Sequence, residues 1–165
     1  MPTKTIVYLA NSRKDGARCI AGIEFMNNQR LGEWVRPVSN RTKGEISLRE
    51  QAYRDNSEPG LLDLIDIPLI EPKPSGYQKE NWLIVPGSQW KKSGHLNHGH
   101  LKRLATRTGP LWINGHNSRG GENDCVPAEE TKKLVRSLIL ADVGGMASRV
   151  SKLFGKLLLR TTFTL

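Results

Sequence analysis

The first segment of the chain that could do chemistry is a polar stretch between two apolar runs. Residues 6–10 (IVYLA) and 19–23 (CIAGI) have the composition of strands, and NSRKDGAR joins them as a predicted hairpin loop. The cations and small polar side chains of this loop are Asn11, Ser12, Arg13, Lys14 and Arg18. Such donors, together with exposed turn amides, attract anions and predict a phosphate-binding loop. The alternative is a solvated basic turn.

Aromatic side chains next to cations form a second candidate site. Residues 33–38 (EWVRPV) predict a third strand, on which Trp34 and Arg36 share a face because side chains two apart point the same way. A nucleobase could stack on Trp34 while Arg36 and the nearby Arg41 hold phosphates. Trp82 is a second candidate for base stacking. The alternative is that these Trp side chains belong to the core, with Arg36 extending at its rim.

Positive charge is concentrated towards the end of the chain. The formal net charge is +9, and from Lys132 onward seven basic residues accompany one acid, Asp142. A basic pole on a small domain predicts a polyanionic partner, most often nucleic acid. The candidate phosphate contacts in the last strands are Arg149, Lys152, Lys156 and Arg160.

A glycine-rich segment, residues 112–124 (WINGHNSRGGEND), could fold over a small ligand. Its glycines permit close backbone approach, and its polar side chains could line a pocket. The candidate pocket residues are Asn114, His116, Asn117, Arg119, Asn123 and Asp124. The alternative is a structured turn whose Asn and Asp side chains bond their own backbone.

Other function classes lack the motifs they need. The chain has no Walker loop, no dinucleotide fingerprint and no Cys-x-x-Cys pair beside His95, His98 and His100. We therefore expect no cofactor and no metal, and a binding function is favoured over an enzymatic one. Two distant cysteines, no long apolar run and no signal peptide predict a reduced, cytoplasmic protein with no membrane partner.

The elements that must position these residues are mostly short strands. Further strands are predicted within 61–70, 77–85, 110–114, 134–143, 147–154 and 156–165, and helices within 46–53, 98–105 and 127–131. Ser47 and Glu50 have capping-box spacing. Strands with glycine-rich turns and small helices predict a mainly β fold of tandem OB-like small barrels. The predicted domains are a first barrel (1–90), a connecting helix and glycine-rich loop (91–131) and strands of a second barrel (132–165).

The order of the motifs resembles that of a bacterial family of dual OB-containing domain proteins. The motifs are ANSRKDGARCIAG, WVRPVSNRTKGEIS, SEPGLLDLIDIPLIEP, YQKENW, PLWINGHNSRGGENDCVP and the basic terminal hairpin. The resemblance implies two tandem OB barrels and nucleic-acid binding. It also implies an incomplete second barrel, because members of the family extend beyond the position of Leu165; alternatively, residues 161–165 form its closing strand.

The sequence as a whole predicts a nucleic-acid-binding OB-type module that favours single strands, DNA or RNA. Arg and Lys would hold the phosphate backbone, and Trp would stack on bases. One alternative is a nucleotide or small-molecule pocket, with enzymatic activity included, built from the 11–18 and 115–124 loops. Another is a protein-interaction adaptor in a bacterial defence-type system, whose basic surface meets a protein partner.

Overall fold

The structure is a computed structural model that describes residues 1–14, 16–26, 29–105, 114–118, 124–153 and 155–164. The chain divides into two compact units, one comprising Met1–His100 with Ala128–Leu138 and the other Leu101–Pro127 with Ile139–Leu165. The predicted strand at 110–114 lies outside the described residues, apart from Asn114. Within the described parts, no helix has the length and apolar composition needed to cross a membrane.

The first unit is built around a closed five-stranded barrel. Its strands run in the order β1-β2-β3-β5-β4, and β4 returns to pair with β1. β3 and β5 are parallel, and the other neighbours are antiparallel. The predicted mainly β, OB-like fold is confirmed. The strands are β1 (Thr3–Lys14), β2 (Ala17–Phe25), β3 (Leu31–Val38), β4 (Asp63–Pro72) and β5 (Asn81–Ile84).

Alternation of apolar residues explains the barrel core. In β4, Ile65, Ile67 and Leu69 are fully buried, and the residues between them are partly exposed. Side chains that alternate in this way place one face of the strand inside the barrel. Full burial of each such side chain contributes about 1.5–3 kcal/mol. At Gly22 β1 and β2 approach so closely that a Cβ would overlap the carbonyl oxygen of Val7.

The β1–β2 hairpin is longer than predicted. The prediction that residues 11–18 form a loop is wrong, because the ladder continues through Asn11↔Ile20, Ser12↔Cys19 and Arg13↔Arg18 to Lys14↔Ala17. Gly16 has φ +80°, which allows a tight turn at the tip of the ladder. The cations are therefore carried on strand ends.

The first helix begins with the predicted capping box. In α1 (Leu48–Gln51) the backbone N–H of Glu50 donates to Ser47 Oγ at 3.2 Å, and the Ser47 N–H donates to the Glu50 carboxylate at 2.8 Å. Gln51 is fully buried and accepts a hydrogen bond from Tyr8 Oη at 3.2 Å, which ties the helix to the barrel interior. The other predicted helices are also present, as α2 (His98–Leu104) and α3 (Ala128–Thr131).

A sixth strand, β6 (Lys91–His95), was not predicted. Its sequence, KKSGH, has no apolar alternation, and it pairs with the first half of β4 through Asp63↔His95 and Asp66↔Lys91. β1 occupies the other edge of the same stretch of β4. β6 is therefore defined by its pairing with a strand that is distant in sequence, and not by a local strand propensity.

The predicted strand at 134–143 is wrong. Residues 132–140 form turns and bends that follow α3. The backbone N–H of Ser137 donates to the carboxylate of Glu80, and Ser137 Oγ bonds the same carboxylate at 2.9 Å. The Glu80 side chain thus accepts the hydrogen bond that the Ser137 backbone N–H would otherwise donate to a neighbouring strand.

The second unit contains the predicted terminal hairpin. β7 (Met146–Leu153) and β8 (Lys156–Phe163) pair in continuous register, and Gly155 at the turn has φ +78°. Residues directly opposite each other share a face, so the hairpin has a basic face and an apolar face. The apolar face carries Met146, Val150, Leu157, Leu159 and Phe163, all exposed.

Candidate functional site

Trp34 and Arg36 lie on the outer face of the barrel. Val35, between them, is buried in the core, and both neighbours are half-buried on the opposite side of the strand. The Arg36 guanidinium donates through Nη2 to Cys19 Sγ at 2.8 Å, so it leans across β2. Aromatic surface and positive charge are therefore adjacent on the β2–β3 face, where OB barrels bind oligonucleotides.

A cavity of about 290 Å³ opens next to Arg36, and we name it the cationic cavity. It lies between the β3–α1 loop (39–44) and the β4–β5 loop (73–78). Its cations come from three segments of the chain, and among the residues the structure describes here none of those lining it bears a carboxylate. These cations are Arg36, Arg41, Lys43 and Lys73.

Hydrogen bonds fix the wall of the cavity formed by the β3–α1 loop. Ser39 Oγ donates to the carbonyl of Glu45 at 2.6 Å and accepts from the backbone N–H of Arg41 at 3.2 Å. The Arg41 guanidinium grips the Glu50 carboxylate with two bonds, at 2.7 and 3.2 Å. Burial would raise the pKa of Glu50, but the bonds from Arg41 and Ser47 lower it below its usual value. Arg41 therefore stabilises the loop through Glu50 and also contributes a positive charge to the cavity lining.

Two other cations of the cavity keep most of their donors available. Lys73 Nζ donates one bond, to Asn40 Oδ1 at 2.8 Å, and an ammonium has three donors. The Arg36 guanidinium has five donors and bonds Cys19 through one of its nitrogens. An anion in the cavity could thus be bonded by both side chains without loss of their present contacts.

The hairpin residues divide into an exposed set and a half-buried one. Asn11, Ser12 and Arg13 are exposed near the end of β1, and Lys14 is the last residue of that strand. Arg18, directly opposite Arg13, is half-buried and contacts the Glu58 carboxylate at 3.5 Å. That carboxylate also accepts from Gln51 Nε2 at 3.0 Å. Arg18 thus belongs to an internal network of the barrel.

Trp82 lies in a different environment from Trp34. It packs against the core cluster, and Lys4 Nζ lies 4.7 Å from the centroid of its ring. Lys4 is also paired with the Glu24 carboxylate at 2.7 Å. The core and an ammonium therefore already contact this indole.

The terminal hairpin brings three of its four candidate cations together. Arg149 is directly opposite Arg160, and Lys156 follows the same alternation on β8. We call these three residues the basic hairpin face. Lys152 pairs with Leu157 and projects from the other face.

The described residues of the glycine-rich segment are exposed and mainly bonded to one another. Asn114 Nδ2 donates to the carbonyl of Cys125 at 2.9 Å, and the N–H of His116 donates to Asn114 Oδ1 at 2.9 Å. Ser118 donates twice to Asp124, which lowers the pKa of that carboxyl. Asn117 is exposed, and Arg119 and Asn123 lie outside the described residues. These bonds are the ones expected of a structured turn.

The side chains needed for a metal or redox site are not assembled in the described parts of the chain. No group of three or more His, Cys, Asp or Glu is placed there to hold a metal ion. Cys19 and Cys125 are both half-buried free thiols. The 11–18 and 115–118 segments belong to different compact units.

Sequence reasoning found half of the cationic cavity. It identified two of the four cations, Arg36 and Arg41, and it missed Lys43, Lys73 and the buried Asn81, which also lines the cavity. The Pro-rich break at 72–76, with its lysine, was the available signal for a loop beside the site. Its position next to Arg36 depends on the parallel pairing of β3 with β5, which local sequence does not reveal.

Comparison with known proteins follows from this architecture. No curated protein and no solved structure matches the chain. The model of the dual OB-containing domain family matches residues 4–165, nearly the whole chain. With a closed barrel of OB strand order in its first unit, the chain belongs to the dual OB-containing domain family.

Proposed function

We propose that this protein binds single-stranded nucleic acid across the β2–β3 face of its first barrel. The observation that carries the proposal is the cationic cavity beside Trp34 and Arg36, which collects four cations with no carboxylate among its described lining residues. Phosphates would lie against Lys73, Lys43 and Arg36, and a base would stack on Trp34. The proposal includes a reduced, cytoplasmic location, consistent with the free thiols.

Two hairpins supply a second line of support. Arg149 is directly opposite Arg160 in the second unit, whereas Arg13 in the first unit is opposite Arg18, which the Glu58 carboxylate already contacts. Like charges in directly opposed positions destabilise a sheet unless an anion lies between them. A phosphate bound at the Arg149–Arg160 pair would remove that repulsion, and the exposed Arg13 would contact a further phosphate at its strand end.

Fluorescence anisotropy with labelled single-stranded DNA and RNA tests this proposal. Lys73→Ala removes one phosphate contact from the cationic cavity and is expected to weaken binding about tenfold, because charge-assisted bonds contribute about 1.5–3 kcal/mol. Lys79→Ala makes the same change of side chain at an exposed position outside the cavity lining and is the matched control. Trp34→Ala is expected to weaken binding further through lost stacking.

The outcomes separate this proposal from its rivals. Equal loss of affinity in the Lys73 and Lys79 variants would show that binding is diffuse and would contradict a site in the cationic cavity. Failure to bind any oligonucleotide, combined with recovery of a specific acidic protein partner, would favour the adaptor function. Binding of mononucleotides that Arg13→Ala weakens and Lys73→Ala leaves intact, without oligonucleotide binding, would favour the small-molecule alternative that includes residues 11–18.

A further inference from the structure

A second cavity of the first unit lies away from the proposed nucleic-acid site. It has a volume of about 1170 Å³ and opens between the α1–β4 loop and β6, at the start of β4. The cationic cavity lies beyond the other end of β4, after Pro72. None of the residues that line one cavity lines the other. We call the larger one the Asp63 cavity.

A fixed polar network forms one wall of this cavity. The Asp63 side chain is only 4% exposed and accepts bonds from Lys92 Nζ at 2.6 Å, His95 Nδ1 at 3.0 Å and Tyr53 Oη at 2.9 Å. The backbone N–H of Gly60 is a fourth donor, at 3.0 Å. Burial would raise the pKa of Asp63, but these bonds lower it to about 2. The carboxylate is therefore ionised and fully engaged at neutral pH.

This ionised carboxylate fixes the orientation of His95. A carboxylate can only accept hydrogen bonds, so Nδ1 must carry the proton of the His95–Asp63 bond. The other ring nitrogen, Nε2, is left for a different partner. Since the His95 side chain is half exposed and lines the cavity, that nitrogen is available to a ligand.

The acidic side chains around the cavity have hydrogen-bond donors, whereas two of its basic side chains have no carboxylate partner among the described residues. The acids that line it all have internal donors: Asp63 as above, Asp55 from Ser57, and Glu58 from Gln51. Arg54 and Lys91 also line it, and neither has a carboxylate partner among the residues that the structure describes. Two unpaired cations at one cavity match a doubly charged anion better than a single carboxylate.

The cavity also offers an apolar surface. Leu61 lines it with 61% of its surface exposed, next to the half-buried Tyr53 and the buried Trp90. Ligand pockets of proteins combine such apolar surface with a few well-placed polar groups. A ligand here would place a ring or apolar portion against Leu61 and its anionic end on Arg54 and Lys91.

We propose that the Asp63 cavity binds a small organic phosphate of nucleotide size, with Arg54 and Lys91 on the phosphate and His95 as a polar contact. This site is independent of the proposed nucleic-acid interface. The full chain provides the test, by isothermal titration calorimetry with adenosine monophosphate, adenosine and inorganic phosphate as probes.

Adenosine monophosphate is expected to bind more tightly than either fragment. Arg54→Ala and Lys91→Ala are each expected to weaken its binding about tenfold, because each removes a charge-assisted contact. Arg49→Ala makes the same change as Arg54→Ala at an exposed position of α1 that lines neither cavity, and it should leave this affinity unchanged. His95→Gln, which keeps a polar side chain, is expected to weaken binding by a smaller factor.

Three results would overturn the proposal. They are no binding of the monophosphate, equal binding of inorganic phosphate and the monophosphate, and equal weakening by Arg54→Ala and Arg49→Ala. Oligonucleotide binding, measured on these variants and on Lys73→Ala, distinguishes the cationic cavity from the Asp63 cavity. Loss of oligonucleotide affinity in Lys73→Ala alone supports the proposed function whatever the outcome for the monophosphate.

Discussion

At the scale of single residues, the Asp63 carboxylate accepts hydrogen bonds from four partners in the first unit. These partners are Gly60 in the α1–β4 loop, Tyr53 just after α1, and Lys92 and His95 on β6. Burial and the bond to Asp63 raise the pKa of Tyr53, so its hydroxyl keeps the proton that it donates. One carboxylate therefore holds together segments from 53 to 95.

This network predicts a pH dependence of stability. Because the pKa of Asp63 is lowered to about 2 by folding, its contribution is complete above the unfolded value of about 3.9 and is lost as the pH falls towards 2. The wild type is expected to lose about 2 kcal/mol more than Asp63→Asn between about pH 5 and pH 2. Urea unfolding at a series of pH values measures this difference.

A matched substitution shows whether the effect is specific to Asp63. Glu33 is an exposed carboxylate on β3 with no bond in this network, and Glu33→Gln should retain the wild-type pH profile. Parallel stability curves for wild type and Asp63→Asn would contradict the ion-pair account.

At the scale of elements, the two hairpins share one design. Each is a long antiparallel pair closed by a glycine with φ near +80°, and each places two arginines directly opposite one another. Turn glycines permit the register, and the register then decides which charges meet. The repulsion between the arginines is thus a consequence of turn geometry.

Reversing one charge on the basic hairpin face is expected to raise the stability of the hairpin and to weaken its binding of oligonucleotides. Arg160→Glu gives Arg149 an opposite charge across the strand pair and is expected to stabilise the hairpin by about 0.2–1 kcal/mol. The same change should weaken oligonucleotide binding, because it replaces a phosphate contact with a repulsive group. Thermal unfolding and anisotropy of one variant measure both effects.

Lys152→Glu is the control for this substitution. It makes the same change of charge on the opposite face of the hairpin, where the cross-strand partner is Leu157. Its effect on oligonucleotide affinity should be smaller than that of Arg160→Glu. If both variants weaken binding equally, net charge and not the basic hairpin face governs the interaction.

At the scale of the whole molecule, a net charge of +9 predicts salt-dependent binding. Each phosphate neutralised by a cation releases counterions and contributes about 0.7 to the slope of log affinity against log salt for single strands. Anisotropy titrations between about 50 and 200 mM salt should give a steep linear fall. Lys73→Ala should reduce the slope by about 0.7, and a slope near zero would contradict phosphate binding.

Local patterns were enough to predict much of this fold. Alternation predicted β4, glycine turns predicted both hairpins, and Ser47 with Glu50 predicted the start of α1. These features depend on contacts within a few residues, so they are readable from the sequence. Charge and spacing also indicated that Trp34 and Arg36 share a face, since the pleat of a strand has a fixed period of two.

Only the tertiary structure decided the features that depend on distant pairing. β6 pairs with β4, Ser137 is bonded by the Glu80 side chain and not by a strand, and Lys73 lines the same cavity as Arg36 next to the parallel β3–β5 pair. In each case the partner lies tens of residues away, where local propensity carries no information. The sequence by itself determined a basic, mainly β chain; closure of the barrel determined which of its cations meet.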